Sequence, residues 1–442
     1  MARELRGPVA PSFGEAFRFW LKLGFVNFGG PTGQIAVMHE ELVDRRGWLG
    51  DDGFLHALSF CLLLPGPEAQ QLAIYTGWLL NGTAGGIAAG VLFVLPAAVL
   101  VAGLAWLYAA GGDLRIVSSV FDGLAAAVVG IVAAAMLSIG GRALRGRAAV
   151  VVAGSAFLAI FVVGVPFPLV VLAAAGTGLV LGPERLGVTF DEGTNASASP
   201  IPQPRPRPRR TVLVLVVGLA AWWIPVLAVV ALTGTGSIYS QEALFFSQVA
   251  VISFGGAYAV LAYVAHEVVR RFGLSPDDVV AGLALAETTP GPLILVVEFY
   301  GFLAAYRNPG TLTPAVAGAL GAAVTVWATF APCFLWVFLG APWVERLRAN
   351  RALRSALAAV TAAVVGVIAS LALTVAANVL FEDVETARPF FASIPRPFWS
   401  SIDVISAAIA AVAFVLIRRF RVNVAWVALG GGLAGLLLEV VR

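Results

Sequence analysis

Long runs of apolar residues alternate along the chain with runs that glycine, proline and charged residues interrupt. Five long runs, at 85–108, 118–140, 148–164, 211–232 and 353–377, are about as long as the 17 to 25 residues that cross a hydrocarbon core as a helix. The pattern therefore predicts an all-α polytopic membrane protein, with about nine full spans when the shorter apolar runs are included.

The interrupted runs form two regions, 13–81 and 241–307, whose polar elements fall at matching positions. The two sets of elements are offset by 225 to 227 residues. The matched elements are Phe28-Gly29-Gly30 with Phe254-Gly255-Gly256, His39-Glu40 with His266-Glu267, Arg45-Arg46 with Arg270-Arg271, Asp51-Asp52 with Asp277-Asp278, and Pro65-Gly66-Pro67 with Pro290-Gly291-Pro292. The chain therefore carries one unit twice.

The helical pieces within these two regions are too short and too polar to be ordinary membrane spans. Backbone that is interrupted at membrane depth is tolerated only where it is buried in protein or lines a water-filled cavity. We interpret each region as two hairpins of half-helices, so that four hairpins pack at the centre of the fold. Broken helices at corresponding positions of two halves are typical of secondary transporters.

Loop charge predicts that the two copies cross the membrane in opposite orientations. Arginines concentrate in the loop 141–148 and in the loops 346–354 and 418–421, and the positive-inside rule makes these loops cytoplasmic. Equivalent loops then lie on opposite faces, so we expect inverted-topology repeats. The predicted units are a first repeat at 1–182, a Pro/Arg-rich cytoplasmic linker at 183–210, an inverting helix at 211–234 and a second repeat at 235–442.

Composition agrees with a lipid environment and excludes several other classes of protein. The chain is 60% hydrophobic and 12% charged, with a mean hydropathy of +0.91, which a soluble fold could not bury. Its two cysteines lie in apolar runs, so neither a disulfide framework nor a cysteine metal cluster is expected. The loop arginines account for the basic pI of 9.1, so we expect no nucleic-acid partner. No cofactor or metal site is predicted.

Each Pro-Gly-Pro element predicts the start of a helix whose unpaired amide groups attract an anion. Pro67 and Pro292 would stand in the first turn, where each helix end acts as about half a positive charge. Lys22, the only lysine, would lie about 12 Å along the first half-helix. Together these charges could balance a tetrahedral dianion. The alternatives are that the prolines only bend their helices and that Lys22 reaches the cytoplasmic headgroups.

Four residues are candidates for coupling to protons: His39, Glu68, His266 and Glu287. Glu68 follows the first Pro-Gly-Pro element and could also be a simple capping carboxylate. Each histidine lies on an otherwise apolar helix face, where a packed core residue is the ordinary alternative. Neither copy completes His-Glu-x-x-His, since position 43 is Val and position 270 is Arg, so zinc protease chemistry is not expected.

Two long motifs lie in the first copy, FGGPTGQIAVMH at 28–39 and LPGPEAQQLAIYTGW at 64–78, and LFVLP follows at 92–96. These motifs resemble those of the chromate ion transporter family in its long, two-domain form. The second copy is similar at FGGA (254–257) and TTPGP (288–292). The resemblance implies a protein of the bacterial cytoplasmic membrane that exports chromate, with sulfate as a related oxyanion, and implies that these segments carry the site.

The residues expected to contact the anion combine the motif glycines with nearby polar side chains. They are Lys22, Asn27, Gly29, Gly30, Gln34, Gly66, Gln70, Gln71, Tyr75, Ser253, Gly255, Gly256, Thr288 and Thr289. A passive anion channel or uniporter is the alternative function. A membrane enzyme is not expected, because no nucleophile motif, paired metal-ligand histidines or nucleotide-binding loop is present. A glycine-rich face at 430–435 could pack within the chain or form a homodimer.

Overall fold

A computed structural model describes residues 11–28, 30–111, 115–187, 208–254, 257–344, 347, 350–387 and 394–441. Among these residues the chain forms sixteen α-helices and one short pair of antiparallel strands. The predicted all-α membrane fold is therefore confirmed in its class. The glycines Gly29, Gly255 and Gly256, and most of the predicted linker, lie outside the described residues.

We call α1–α7 the first copy and α9–α16 the second copy. The first contains α1 (Phe13–Val26), α2 (Gly30–His39, continued by a π-helical turn at Glu40–Arg45), α3 (Asp51–Cys61), α4 (Glu68–Gly111), α5 (Arg115–Ala143), α6 (Arg147–Leu158, continued to Val163) and α7 (Phe167–Leu181). The helix α8 (Pro208–Thr233) follows. The second contains α9 (Ile238–Ile252), α10 (Ala257–Phe272), α11 (Pro276–Thr288), α12 (Val296–Arg307, after a turn at Leu293–Leu295), α13 (Pro314–Gly340), α14 (Arg351–Leu380), β1 (Val384–Ala387), β2 (Ile394–Pro397), α15 (Val404–Phe420) and α16 (Val424–Val441).

Five helical segments of the described chain are long and apolar enough to cross a membrane. They are Glu68–Gly111, Ser118–Ala143, Pro208–Thr233, Pro314–Trp343 and Arg351–Leu380. Shorter apolar helices occur at Arg147–Val163, Phe167–Leu181 and Val424–Val440, so the count of about nine spans stays a prediction. Only 11% of the apolar window of α8 is buried, against 61% for α14, which places α8 at the lipid-facing periphery.

The helices of both interrupted regions end at the predicted glycine and proline positions. The breaks separate α1 from α2, α3 from α4, α9 from α10, and α11 from the turn before α12. Gly66 and Gly291 have φ angles of +119° and +98°, which residues with a side chain rarely adopt. Glycine is therefore required at the middle of each Pro-Gly-Pro element.

The second-copy hairpins turn back at their breaks. Tyr300 of α12 donates a hydrogen bond from Oη to the carbonyl of Val279 on α11 (2.9 Å), which makes the two helices antiparallel. In the other hairpin, Phe245 of α9 contacts Tyr263 and Phe272 of α10, with ring centroids 5.8 and 5.7 Å apart. The ends away from the breaks, which we call the outer ends, therefore lie on one side of the breaks.

The outer ends of the first-copy hairpins also lie together. The Asn81 side chain, at the point where α4 changes direction, donates to the carbonyl of Pro11 just before α1 (2.9 Å). Further along α4, Tyr108 donates to Asp278 at the outer end of the second-copy hairpins (3.1 Å). The helix between Asn81 and Tyr108 spans about 40 Å. The two sets of hairpins therefore open at opposite ends of the molecule.

The two copies repeat one contact at these outer ends. The guanidinium of Arg46 lies over the ring of Phe19 (4.9 Å), and that of Arg271 lies over Phe245 (5.1 Å). The pair Arg270-Arg271 is also held by ion pairs to Glu267 (2.7 and 2.5 Å), while the Arg270 side chain remains 60% exposed. These arginines are therefore exposed in part and paired with a carboxylate.

Glycines allow the remaining helices to approach closely. Gly366 of α14 lies against the backbone of α6 at Ala153 and Phe157, and Gly431 and Gly435 of α16 lie against α5. The glycine-rich face at 430–435 is thus packed in part within the chain, which is one of the two arrangements its sequence allowed.

The substitution Gly366→Val is expected to destabilise the fold. A Cβ at this position would stand 2.8 Å from the backbone nitrogen of Phe157, so α14 and α6 must separate, at about 1–3 kcal/mol. The measurement is thermal unfolding of the purified protein in detergent. The control is Gly154→Val on the neighbouring helix face, where nothing lies within 4 Å; equal melting temperatures for both variants would contradict the packing.

Candidate functional site

Two backbone hydrogen bonds join the breaks of the two copies. The amide of Gly66 donates to the carbonyl of Ser253 (2.8 Å), and the amide of Gly291 donates to the carbonyl of Asn27 (3.0 Å). Gly66 matches Gly291 in the sequence repeat, and Asn27 matches Ser253, so one contact occurs twice. The Pro-Gly-Pro break of each copy therefore meets the Phe-Gly-Gly break of the other.

Each Pro-Gly-Pro break also packs against a proline-containing helix of the opposite copy. A Cβ on Gly66 would stand 3.0 Å from Sγ of Cys333 on α13, and a Cβ on Gly291 would clash with Ala97 on α4. Cys333 and Ala97 each follow the proline inside their helix. Sequence reasoning missed Cys333, although the match of Pro96 to Pro332 was the signal that could have found it.

Buried glutamines hold the backbone of the breaks. The Gln34 amide nitrogen donates to the carbonyls of Gly291 and Asn27, the second at 3.4 Å. Gln71 donates to the carbonyl of Pro65 (2.5 Å), and Gln70 to that of Gly90 (3.5 Å). Carbonyls at a helix break have lost their helical donors, so Gln34 and Gln71 supply missing hydrogen bonds there, whereas the carbonyl that Gln70 contacts lies within α4.

Several buried polar atoms near the breaks have no hydrogen-bond partner within the described part of the chain. They are Nδ2 and Oδ1 of Asn27 and the Oε1 atoms of Gln34, Gln70 and Gln71. The hydrogen bonds of α4 begin with Gln71 N to Pro67 O (3.0 Å), so the amides of residues 68–70 form the free end of that helix. The unpaired donors, Asn27 Nδ2 and these backbone amides, suit an anion or an ordered water, whereas the four unpaired oxygens are acceptors and suit only a water.

The predicted carboxylates lie beside the breaks. Glu287, which is 5% exposed, accepts a hydrogen bond from Tyr258 Oη (2.7 Å), a partner that the sequence did not reveal. Glu68 is half-buried at the first residue of α4. The hydroxyls of Thr288 and Thr289 donate to carbonyls of their own helix, so they already have acceptors.

The structure does not bring Lys22, His39 or His266 to the breaks. Lys22 is exposed on α1, outside the stripe of buried residues that ends at Leu23-Gly24. His266 is also exposed, and His39 lies at an outer end with Asp44 and Asp51. Of the other predicted contacts, Gly30 begins α2 with a φ of +63°. Tyr75 is buried against Phe60 and Trp78.

A cavity of about 580 Å³ opens at the end of the molecule where the second-copy hairpins open. Carboxylates of Asp122, Asp277, Asp403 and Glu439 line it, together with Arg307, which forms an ion pair with Asp278 (2.6 Å). The lining is net acidic, so this end repels anions and attracts cations.

Comparisons with known proteins agree with the resemblance seen in the sequence. The profile of a family described as "Chromate transporter" matches residues 14–179 and 241–436. A "Probable chromate transport protein" of Synechococcus elongatus is 30% identical over 81% of this chain and 84% of its own length. Proteins named "Chromate transport protein" from Cupriavidus metallidurans and Pseudomonas aeruginosa are each 28% identical, over 95% and 98% of this chain and 91% and 94% of theirs. No solved structure matches the chain.

The substitutions Gly66→Ala and Gly291→Ala are each expected to lower both the melting temperature and oxyanion flux. Both combine a backbone conformation that costs about 1–3 kcal/mol for alanine with a contact across the two copies. The control is Gly47→Ala, whose φ is +60° but whose Cβ would meet nothing within 4 Å. If Gly47→Ala lowered the melting temperature and the flux as much as the two break variants do, the contacts of Gly66 and Gly291 with the other copy would contribute nothing.

The stability of the protein is expected to include a pH-dependent contribution from His39. The hydrogen bond with Asp51 raises the pKa of His39 above its ordinary 6.5, with added attraction from Asp44, although burial opposes the shift. The contribution is complete below the unfolded pKa and is lost as pH rises through the raised, folded value. Melting temperatures of wild type and His39→Gln should therefore converge between about pH 6 and about pH 9; a constant difference would contradict the linkage.

Proposed function

Because the chain belongs to the chromate transporter family, we propose that it is a secondary transporter that exports chromate, or a related tetrahedral oxyanion such as sulfate. Proteins of this family are multi-pass membrane transport proteins and not enzymes, so this chain is a membrane transport protein, expected in the bacterial cytoplasmic membrane. The observation that carries the finer proposal is the pair of hydrogen bonds between Gly66 and Ser253 and between Gly291 and Asn27.

The proposed mechanism is a rocking movement of two inverted repeats about these central breaks. Two observations support the inversion: the hairpins open at opposite ends, and the breaks meet reciprocally. Pseudo-symmetric repeats that meet at broken helices can expose one site alternately to the two faces. The hydrogen bonds that join the breaks would then be the contacts about which the two copies pivot.

The proposed anion site contains no basic side chain. The segments 27–34, 62–71, 253–260 and 287–296 contain no lysine or arginine. The anion would instead be held by the Asn27 amide and by the free end of α4, whose dipole favours negative charge. Gln34 and Gln71 keep the breaks in position, and the side chain of Lys22 points away.

Coupling follows from competition at the same helix end. An ionised Glu68 occupies the first turn of α4, where it and a dianion would repel each other. The repulsion disappears when the Glu68 carboxylate takes up a proton or moves away from this turn as the anion binds. Glu287, hydrogen-bonded to Tyr258, is the second coupling candidate. Flux should therefore depend on the proton gradient or proceed by anion exchange.

The substitution Asn27→Leu is expected to raise the chromate concentration for half-maximal flux by about tenfold or more, because a hydrogen bond to a charged ligand contributes about 1.5–3 kcal/mol. The measurement is radiolabelled chromate and sulfate uptake into inside-out vesicles, with and without a pH gradient. Lys22→Ala is the comparison and should keep its flux. Loss of flux in Lys22→Ala but not in Asn27→Leu would place the site on the exposed face of α1 instead. Flux that shows no exchange with anion on the other side of the membrane would favour a channel.

A further inference from the structure

A second group of buried polar side chains lies where α9, α12 and α13 pack together. Glu242, Thr325 and Thr329 are at most 1% exposed and Glu298 is 3% exposed. Both carboxylate oxygens of Glu242, Oε2 of Glu298 and the hydroxyls of both threonines have no hydrogen-bond partner among the described residues. None of the anion-site residues belongs to this group.

The two threonines differ from other helical threonines of the chain. A threonine within a helix usually donates its hydroxyl to the carbonyl four residues earlier. Seven threonines in the described chain do so, namely Thr76, Thr177, Thr233, Thr288, Thr289, Thr361 and Thr374. Thr325 and Thr329 have no such bond, which leaves both hydroxyls available to a neighbour on another helix.

The group forms a file along one face of α13. Residues 321, 325, 329 and 333 lie one turn apart, so each is about 6 Å from the next. Glu242 Oε2 stands 3.1 Å from where a Cβ of Gly321 would be, and Thr325 lies against Gly301 of α12. Since α12 and α13 are antiparallel, with Ala305 against Gly321, Glu298 is level with Thr329.

The file joins an outer end of the molecule to the central breaks. At its outer end Tyr239 lies beside Glu242, in the first turn of α9. At its inner end Cys333 packs against Gly66, next to the free end of α4. The distance from residue 321 to residue 333 along α13 is about 18 Å, close to half the thickness of a bilayer.

The first copy builds the same interface without polar groups. The residues that match Glu242, Glu298, Thr325 and Thr329 are Ala16, Ala73, Ala89 and Phe93. Packing of these helices therefore does not require carboxylates or hydroxyls. A polar file present in one copy only, and reaching one end only, has the asymmetry that a directional pathway needs.

The chemistry of the file suits protons and does not suit anions. An ionised carboxylate without a partner costs several kcal/mol in an apolar interior, whereas the neutral acid is tolerated. Within the described residues no lysine, arginine or histidine forms an ion pair with Glu242 or Glu298, and Tyr239 is the titratable group beside Glu242. Carboxylates and hydroxyls separated by one turn can pass a proton through a bridging water.

We propose that Glu242, Thr325, Glu298 and Thr329 form a proton-transfer pathway between the end where the second-copy hairpins open and the central anion site. A proton enters on Glu242, passes the hydroxyl of Thr325 to Glu298, and leaves toward the breaks past Thr329. No bond other than O–H forms or breaks, and the carboxylates alternate between acid and anion. The inference rests on the proposed function, since the protons are those coupled to oxyanion movement.

The test uses purified full-length protein in liposomes, with chromate exchange at equal pH and pH-gradient-driven chromate flux measured side by side. Glu242→Gln and Glu298→Gln should keep exchange within about twofold and lose gradient-driven flux by about tenfold, because an amide cannot cycle a proton. Thr325→Ala should slow the gradient-driven flux, and Thr325→Ser should restore it. Alanine is expected to fit here, because the matching residue of the first copy is Ala89. Glu382→Gln, an exposed carboxylate at the same end, is the control.

The outcomes separate the pathway from the function on which it rests. Gradient-driven flux that is unchanged in both glutamine variants would overturn the pathway. Equal loss of exchange and gradient-driven flux would assign the carboxylates to folding or anion binding and also overturn it, as would wild-type flux that ignores the gradient. Wild-type liposomes without any chromate exchange would refute the proposed function itself.

Discussion

The structure depends on supplying hydrogen bonds to the backbone groups of broken helices at a depth where water is not available. A peptide group that lacks a hydrogen bond in hydrocarbon costs several kcal/mol, and four helix breaks expose many such groups. The chain meets this constraint reciprocally, because Gly66 and Gly291 each donate to a carbonyl in the other copy. Gln34 and Gln71 then pair with carbonyls that remain. Removing one of the glycine amides therefore leaves an unpaired carbonyl in the other copy.

Much of this arrangement could be predicted from the sequence, since a break is a local event. Glycine and proline end a helix whatever surrounds them, and the repeat gives each break twice, so the hairpins and their positions were predictable. The exposed side of Lys22 was predictable as well, because Glu15, Arg18 and Lys22 fall at i, i+3 and i+7 along α1 and form one polar face. The buried residues of this helix, Ala16, Phe19, Trp20 and Leu23, form the opposite face. Contacts between copies, such as Gln34 with Gly291 and Gly66 with Cys333, depend on docking that no local pattern encodes.

The two copies share a backbone but have different chemistry. The first copy places glutamines at 70 and 71, where the second has leucine and valine, while the second contributes Glu242, Glu287 and Glu298 at positions where the first has alanine or leucine. Neutral amides can hold the backbone by hydrogen bonds, whereas carboxylates can also take up and release protons. The symmetric frame therefore supports a division of roles, in which one copy shapes the central breaks and the other contributes most of the acidic groups.

The reciprocal bond between the breaks also bears on ancestry. A polypeptide with a single set of hairpins holds half of each hydrogen-bonded pair, so alone it would leave Gly66 and Asn27 unmatched inside lipid. Under the proposed inversion, it could satisfy them by pairing with a second copy that crosses the same bilayer in the opposite orientation. Under the same proposal, fusion of two such copies through an extra crossing such as α8 would hold this pairing in one polypeptide and would leave each half free to diverge.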